Sequence, residues 1–209
     1  MGREPARAFP GGVRALLESD LVTEATRAVL QARLEPGRGK PAFFDPHAYA
    51  TLQAACTRLI PQPERAKPID IAAGADARLA SGEGDGWRYA VMPPDRDAYR
   101  LGLRGLDESA RAMFNRDFIG LEDAEQDAVL SAVQRGTAEG ETWRAAPSAR
   151  FFEELLVELV ECYYSHPLAS DEIGYAGYAD AHGWQHVGFG EREPWEPPTP
   201  GDAARDADG

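Results

Sequence analysis

Two of the four histidines, His182 and His186, have a spacing that metal sites use. Residues four apart on an α-helix share one face, so both imidazole rings would point the same way. Asp180 is a nearby carboxylate that could supply a third ligand. Gly183 lies between the histidines and two more glycines follow, which disfavours a helix. A metal site at these residues is therefore the minority interpretation of this segment.

A second arrangement of residues could support nucleophilic catalysis, since Cys162 precedes His166 by four positions and Asp171 follows. A thiolate mechanism needs a base within hydrogen-bonding distance of the sulfur and a third group that orients the base. Cys162 lies near the expected C-terminal end of an apolar helix, where the helix dipole raises the pKa of a thiol. We therefore interpret Cys162 as a structural residue.

The two cysteines, Cys56 and Cys162, are too few for a disulfide framework and have no C-x-x-C spacing. Both are expected to be reduced, buried thiols. A covalent bond from Cys162 to a partner protein is the minority alternative.

The glycines do not form a nucleotide-binding loop. None of the 21 glycines occurs in a G-x-G-x-x-G pattern, which holds a dinucleotide between a strand and a helix. The segment from Gly82 to Gly86 carries two carboxylates and lacks the Lys and Ser/Thr that complete a phosphate-binding loop. It predicts a turn, and we expect no cofactor site in this chain.

Composition and charge narrow the class of protein. Hydrophobic residues make up 43% of the 209 positions and charged residues 27%, which is typical of a folded globular protein. The net charge of −13 would repel nucleic acid and anionic lipid surfaces. No apolar run approaches the roughly 20 residues that cross a bilayer, so no membrane span is expected.

Apolar residues recur at helical spacing along most of the chain, and strand-like alternation is confined to about Trp184–Phe189. We predict an all-α protein: an irregular bundle of about six helices with extended N- and C-terminal arms and at most one short strand. The predicted organisation is an N-terminal arm over residues 1–20, a helical body over 21–166, an irregular aromatic and glycine-rich arm over 167–198 and a disordered tail over 199–209.

Local signals predict where several helices begin and end. Asp45 followed by Pro46 is a helix start, and that helix should end at Ile60, before a proline. Asp107 is interpreted as the N-cap of a short helix, and Asp123 as the N-cap of another, with Gln126 at capping-box spacing. The most apolar helix, from about Pro147 to Tyr164, is taken as the central one. Its polar side is expected to be a solvated face formed by Glu153, Glu154, Glu158 and Glu161.

Several of these blocks, in the same order, resemble the gluconate 2-dehydrogenase subunit 3 family. The resemblance covers about residues 20 to 196 and is carried by Phe43–Pro61, Tyr99–Asp107, Phe118–Asp127, Phe151–Pro167, Gly174 and Gly183–Phe189. The chain departs from the family in two places. It shows no twin-arginine export signal, and Ser170–Gly177 replaces the asparagine-rich glycine loop that is common before the terminal Gly-Trp.

The resemblance implies a small subunit that is not an enzyme on its own. Such a subunit would bind a large FAD-dependent oxidoreductase of the glucose-methanol-choline type, in some complexes with a cytochrome c as electron acceptor. The partner would carry the FAD and oxidise a sugar, sugar acid or polyol. Without a signal the expected compartment is the cytoplasm, with the periplasm as the alternative if the chain is exported together with its partner.

Aromatic side chains and glycines are concentrated after Cys162, and this composition favours contact with another surface. Tyr and Trp supply large contact areas at low entropic cost, and glycine lets the backbone approach closely. This segment either wraps the chain's own helices or lies against a partner. For a partner, we expect the contact residues Ile173, Tyr175, Trp184, Phe189 and Trp195.

Two other classes of function remain as alternatives. One is a stand-alone metal-dependent enzyme that uses His182, His186 and Asp180. The other is a self-contained helical protein that acts as a monomer. A stoichiometric transition metal in the purified chain would indicate the metal-dependent enzyme. Expression without a partner and without aggregation would indicate the self-contained monomer.

Overall fold

The computed structural model describes residues 11–34, 40–82, 84, 88–175, 186 and 188–191. Within these residues the chain is all-helical, with no strand, which confirms the predicted fold class. The helices are α1 (Gly12–Glu18), α2 (Glu24–Leu34), α3 (Pro46–Leu59), α4 (Ile71–Ser81), α5 (Asp95–Phe114), α6 (Asp123–Gln134), α7 (Ser148–Tyr164) and α8 (Pro167–Glu172), with short 3-10 helices at Phe118–Gly120 and Glu141–Arg144.

The chain divides into two compact units. The smaller unit comprises Met1–Gly37 and Tyr164–Gly209, and the larger unit comprises Arg38–Tyr163. In the described residues of the smaller unit, α1 and α2 both pack against α8. Its core contains Val13, Leu16, Leu17, Val22 and Leu30, all nearly inaccessible to solvent.

Two short helices lie within segments that the sequence assigned to arms. Residues 12–18, placed in the N-terminal arm, form α1, whose Val13, Leu16 and Leu17 recur at helical spacing and are buried. Residues 167–172, placed in the irregular arm, form α8. Both helices are short, so neither contains enough periodic positions to be recognised without the core against which it packs. The predicted tail over 199–209 lies outside the described residues.

α3 begins and ends where local residue chemistry predicts, and α4 ends at the predicted turn. The Asp45 carboxylate accepts hydrogen bonds from the backbone N–H groups of His47 and Ala48, both at 2.9 Å, and Pro46 occupies the first helical position. Ile60 is the C-cap of α3. α4 ends at Gly82, whose φ of +76° is the left-handed conformation that glycine adopts without strain.

α5 is one continuous helix of 20 residues, so the prediction that Asp107 caps a separate short helix is wrong. The Asp107 side chain is buried and bonds to other segments: one oxygen accepts from the backbone N–H of Phe118 at 2.9 Å, and the other lies 2.7 Å from His47 Nε2. Aspartate is common at helix starts because it competes with the backbone for hydrogen bonds. In α5 the hydrogen-bond partners of the Asp107 carboxylate instead lie outside the helix.

Two glycines of α5 allow aromatic rings to lie directly against the helix backbone. A Cβ atom on Gly102 would stand 2.0 Å from the ring of Phe151, and one on Gly105 would stand 2.5 Å from the indole of Trp143. Phe151 is fully buried, and the Trp143 Nε1–H donates to the hydroxyl of Ser109 at 2.9 Å. These contacts join α7 and the 3-10 helix Glu141–Arg144 to α5.

α6 has a capping box, one residue earlier than predicted. Glu122 is the N-cap, its side chain accepts from the N3 backbone, and Glu125 accepts from the N–H of Glu122 at 2.9 Å. Gln126, which was expected to complete the box with Asp123, is buried and donates to the carbonyl of Phe118 at 3.1 Å. Because its side chain makes this contact with Phe118, Gln126 does not form the predicted capping box with Asp123.

No described helix combines the length and the apolar character that crossing a bilayer would require.

Adding one methyl group at Gly102 should destabilise the larger unit. Gly102→Ala places a Cβ 2.0 Å from the Phe151 ring, which is fully buried. Overpacking of this kind costs about 1–3 kcal/mol, more than the ~1 kcal/mol that alanine contributes to helix propensity. With that gain subtracted, we expect the free energy of unfolding in urea to fall by about 1 kcal/mol.

The matched control for this substitution is Gly120→Ala, because no heavy atom lies within 4 Å of a Cβ placed at Gly120. That variant should change the free energy of unfolding by less than about 0.5 kcal/mol. Equal effects of the two substitutions would show that the close ring contact at Gly102 does not constrain the fold.

Candidate functional site

Three of the five predicted contact residues lie in the described part of the chain, and all three expose their side chains. Ile173 is 62% exposed, Tyr175 is 53% exposed and the Phe189 ring is fully accessible. Trp184 and Trp195 lie outside the described residues. Contact of these five residues with a partner stays a prediction.

The end of α8 holds Ile173 and Tyr175 in place. Ile173 is the C-cap, and Gly174 follows with a φ of +73°, the left-handed conformation that ends many helices. The N–H of Gly174 donates to the carbonyl of Asp171 at 3.1 Å, and the N–H of Tyr175 donates to that of Ser170 at 3.0 Å. Both exposed side chains are therefore attached to hydrogen-bonded backbone.

Phe189 occupies a tight turn that displays its ring to solvent. The N–H of Glu191 donates to the carbonyl of Gly188 at 3.1 Å, and the N–H of Gly188 donates to the Glu191 carboxylate at 2.9 Å. Gly190 has a φ of +77°, which suits the position after Phe189 in a turn of this kind. The turn thus presents a large apolar group with no described neighbour covering it.

The predicted metal ligands are mostly outside the described residues. His186 is described, while His182 and Asp180 are not. In the part of the chain that the structure describes, no three His, Cys, Asp or Glu side chains are grouped closely enough to share a metal ion. The metal-site alternative therefore stays a prediction.

Cys162 and His166 each have a hydrogen-bond partner on their own segment. The Cys162 thiol donates to Glu158 Oε1 at 3.4 Å, and His166 Nδ1 accepts from the N–H of Leu168 at 3.3 Å, as the N-cap of α8. A Cβ on Gly74 would lie 3.1 Å from the sulfur of Cys162, so α4 packs closely against the thiol. These local contacts agree with a structural role for Cys162.

Glu158 belongs to a buried ion-pair network, so the prediction that it lies on a solvated face is wrong. Its side chain is only 7% exposed, and its two oxygens lie 2.8 and 2.5 Å from the guanidinium of Arg78. The same guanidinium contacts Asp95 at 3.2 Å and lies 5.9 Å from the ring centre of Tyr99. Arg78, which was assigned no role from the sequence, provides the compensating charge that allows burial of Glu158.

Burial suppresses the reactivity of both thiols. It raises the pKa of Cys162 to about 12, with a further contribution from the negative charge of Glu158. Burial also raises the pKa of Cys56 well above its ordinary value. The direction for Cys162 is the one expected from the helix dipole, but the main causes are desolvation and Glu158.

His47 was also assigned no role from the sequence, although the structure pairs it with Asp107 across two helices. His47 Nε2 lies 2.7 Å from Asp107 Oδ2, which is hydrogen-bonding distance. The imidazole side chain is 45% exposed, while the carboxylate is buried. This pair links the start of α3 to the middle of α5.

Breaking the Arg78–Glu158 pair should destabilise the chain. Glu158→Gln removes the buried carboxylate that lies closest to the partly buried Arg78, and we expect the free energy of unfolding to fall by about 2 kcal/mol. Glu153→Gln, which removes the exposed partner of Arg150, is the control and should cost less than about 1 kcal/mol. Urea denaturation at neutral pH measures both, and similar losses would contradict the structural importance of the buried pair.

Neither thiol of the folded chain should react appreciably with iodoacetamide at pH 8. With a pKa near 12, about one Cys162 side chain in ten thousand is a thiolate at that pH, and the thiolate is the nucleophile. In urea both cysteines return to ordinary pKa values and should be alkylated within minutes to hours. Intact mass after a timed reaction measures this, and rapid alkylation of the native chain would refute the structural assignment.

Comparison with known proteins gives one match. A model of the family described as gluconate 2-dehydrogenase subunit 3 matches residues 46–190, which include α3 to α8 and the turn that holds Phe189. Searches of curated proteins and of solved structures gave no significant match. Because the family match covers well over half of the chain, this protein belongs to the gluconate 2-dehydrogenase subunit 3 family.

Proposed function

We propose that this chain is a non-catalytic small subunit that binds and stabilises an FAD-dependent oxidoreductase of the glucose-methanol-choline type. The observation that carries the proposal is the family match over residues 46–190, whose name describes a subunit of a dehydrogenase complex. The partner would bind the FAD and oxidise a sugar, sugar acid or polyol, and a cytochrome c would accept the electrons in complexes that contain one.

The exposed apolar side chains support a role in binding. Ile173, Tyr175 and Phe189 each expose more than half of their surface, although they are attached to hydrogen-bonded turns. Covering a large apolar side chain is worth about 1.5–3 kcal/mol, so a partner that covers all three would gain several kcal/mol. Rigid turns reduce the entropy lost on binding, which favours this use of the three residues.

The two cysteines support the non-catalytic assignment. A catalytic thiol must be available as a thiolate near neutral pH, and burial raises the pKa of both Cys56 and Cys162 far above that range. Cys56 is buried in α3, and the partly buried Cys162 donates to the buried Glu158. Oxidation of a substrate is accordingly assigned to the partner.

Co-expression of the tagged chain with a flavoprotein encoded by a neighbouring gene tests the proposal. We expect a larger, yellow subunit to co-purify, with flavin absorbance near ~450 nm. The chain expressed alone should aggregate or denature at lower temperature, because an obligate subunit is stabilised by its partner. A chain that is stable alone, captures no flavoprotein, or oxidises a substrate by itself would overturn the proposal.

A charge placed at Ile173 should weaken this complex. Ile173→Glu puts a carboxylate where an apolar contact is expected, and we expect at least a tenfold higher Kd for the flavoprotein. Val91→Glu is the matched control, since Val91 is 63% exposed and Ile173 is 62% exposed. Binding measured by interferometry should distinguish the two variants, and equal affinities would remove Ile173 from the interface.

A further inference from the structure

One face of α5 carries a row of positively charged side chains. Arg100, Arg104 and Arg111 follow one another at intervals of four and seven residues, so they project from the same side of the helix. This side forms one wall of a cleft of about 290 Å³, whose other wall is the segment that leads into α3. The lining also contains Phe43, Phe44, Asp45, His47, Ala48, Leu103 and Asp107.

The two carboxylates of the cleft are already engaged. Asp107 accepts from His47 on one oxygen and from the N–H of Phe118 on the other. Asp45 caps α3 by accepting from the backbone N–H groups of His47 and Ala48. Neither acid makes a hydrogen bond or ion pair with the three arginines.

The arginines differ in how much of their charge is neutralised. Arg111 contacts Asp117 at 2.6 Å, whereas Arg100 has only a long, exposed contact of 3.6 Å to Asp97. Arg104 makes no hydrogen bond or ion pair with any residue that the structure describes. Its charge acts on the Glu108 carboxylate one turn along α5, but its guanidinium makes no hydrogen bond there, so its donors can bind an anion.

The aromatic wall of the cleft is held rigidly. The Asp76 carboxylate, buried on α4, accepts from the backbone N–H groups of Phe43 and Phe44 at 3.1 and 2.9 Å. The guanidinium of Arg100 lies 4.2 Å from the centre of the Phe43 ring, and that of Arg96 lies 5.0 Å from it. The cleft thus combines a fixed apolar ring with positive charge.

We propose that this cleft binds an acidic segment of the partner subunit. Carboxylates of that segment would contact Arg104 and Arg100, and an apolar side chain beside them would pack on the half-buried Phe43. The chain as a whole carries −13, whereas this row is positively charged, so its charge is complementary to that of an acidic polypeptide. The identity of the partner rests on the proposed function, whereas the chemistry of the cleft does not.

A polypeptide fits this cleft better than a free anion does. The arginines are exposed, and one exposed arginine–carboxylate pair changes Kd by at most about fivefold. A small anion would also leave the accessible part of Phe43 without an apolar contact. A segment with two carboxylates and an apolar side chain would engage both kinds of surface, and its binding would be sensitive to salt.

A peptide titration of the full chain tests the cleft without any flavoprotein. The probes are a labelled six-residue peptide of glutamate and leucine, its glutamine counterpart, and sodium acetate. We expect the glutamate peptide alone to bind, with a Kd at least about tenfold higher for Arg104→Glu and less than twofold higher for Arg135→Glu. Arg135 is the matched control, being exposed at the end of α6 and outside the cleft, and both substitutions change the net charge by the same amount.

Three results would overturn the proposal. Absence of glutamate-peptide binding, equal effects of Arg104→Glu and Arg135→Glu, or displacement of the peptide by acetate at equal carboxylate concentration would each do so. Circular dichroism checks that both variants are folded. Arg104→Gln, which removes the charge with less disturbance, should show a smaller loss in the same direction.

The same variants in the co-expressed complex separate this inference from the proposed function. If wild type and Arg135→Glu capture the flavoprotein and Arg104→Glu captures it at least about tenfold more weakly, both proposals are supported. Equal capture by all three overturns the docking site and leaves the proposed function intact. If even the wild type captures no flavoprotein, the proposed function fails, and the peptide titration alone decides whether the cleft binds acidic segments.

Discussion

The aromatic rings of Phe151 and Trp143 lie against the bare backbone of α5 at Gly102 and Gly105, and the larger unit is arranged around this contact. No side chain fits at either glycine, since a Cβ would stand 2.0 and 2.5 Å from the two rings. The row of arginines formed by Arg100, Arg104 and Arg111 lies on the opposite side of α5, about half a turn around the helix axis from these glycines. Packing of the rings on one side therefore determines which residues of α5 face outward on the other.

Buried carboxylates fix the remaining segments of the larger unit. Asp76 on α4 binds the backbone before α3, Asp107 on α5 binds His47 and the 3-10 helix at Phe118, and Glu158 on α7 binds Arg78. A buried acid without partners would be strongly destabilising, so each of these positions requires a particular second segment nearby. The same bonds that satisfy the acids also position the residues of the cleft, so stability and surface shape depend on one set of groups.

Sequence patterns predicted the elements whose signals are local. Asp45 with Pro46 marks the start of α3, and Gly82 the end of α4, because capping is chemistry between near neighbours. The same patterns failed for Asp107 and Glu158, because whether an acid caps a helix, faces solvent or pairs in the interior depends on segments distant in the sequence. Signals within single helices do not show that Arg78 on α4 forms an ion pair with Glu158 on α7. The family was recognisable only from several blocks in register, while the arginine row was overlooked because its members look like ordinary solvated residues until the opposite wall of the cleft is known.

The two surfaces proposed for binding belong to different compact units and would bind through different interactions. Ile173, Tyr175 and Phe189 in the smaller unit offer apolar area, which is little affected by salt, whereas Arg104 in the larger unit offers charge, which salt screens. Each alone is weak, but two weak contacts carried by one chain act at the high effective concentration that their linkage imposes. An acidic protein that is repelled by most negatively charged surfaces would then accept only a partner that presents both an apolar patch and an acidic segment. Specificity would arise from the combination, with neither surface needing to be selective by itself.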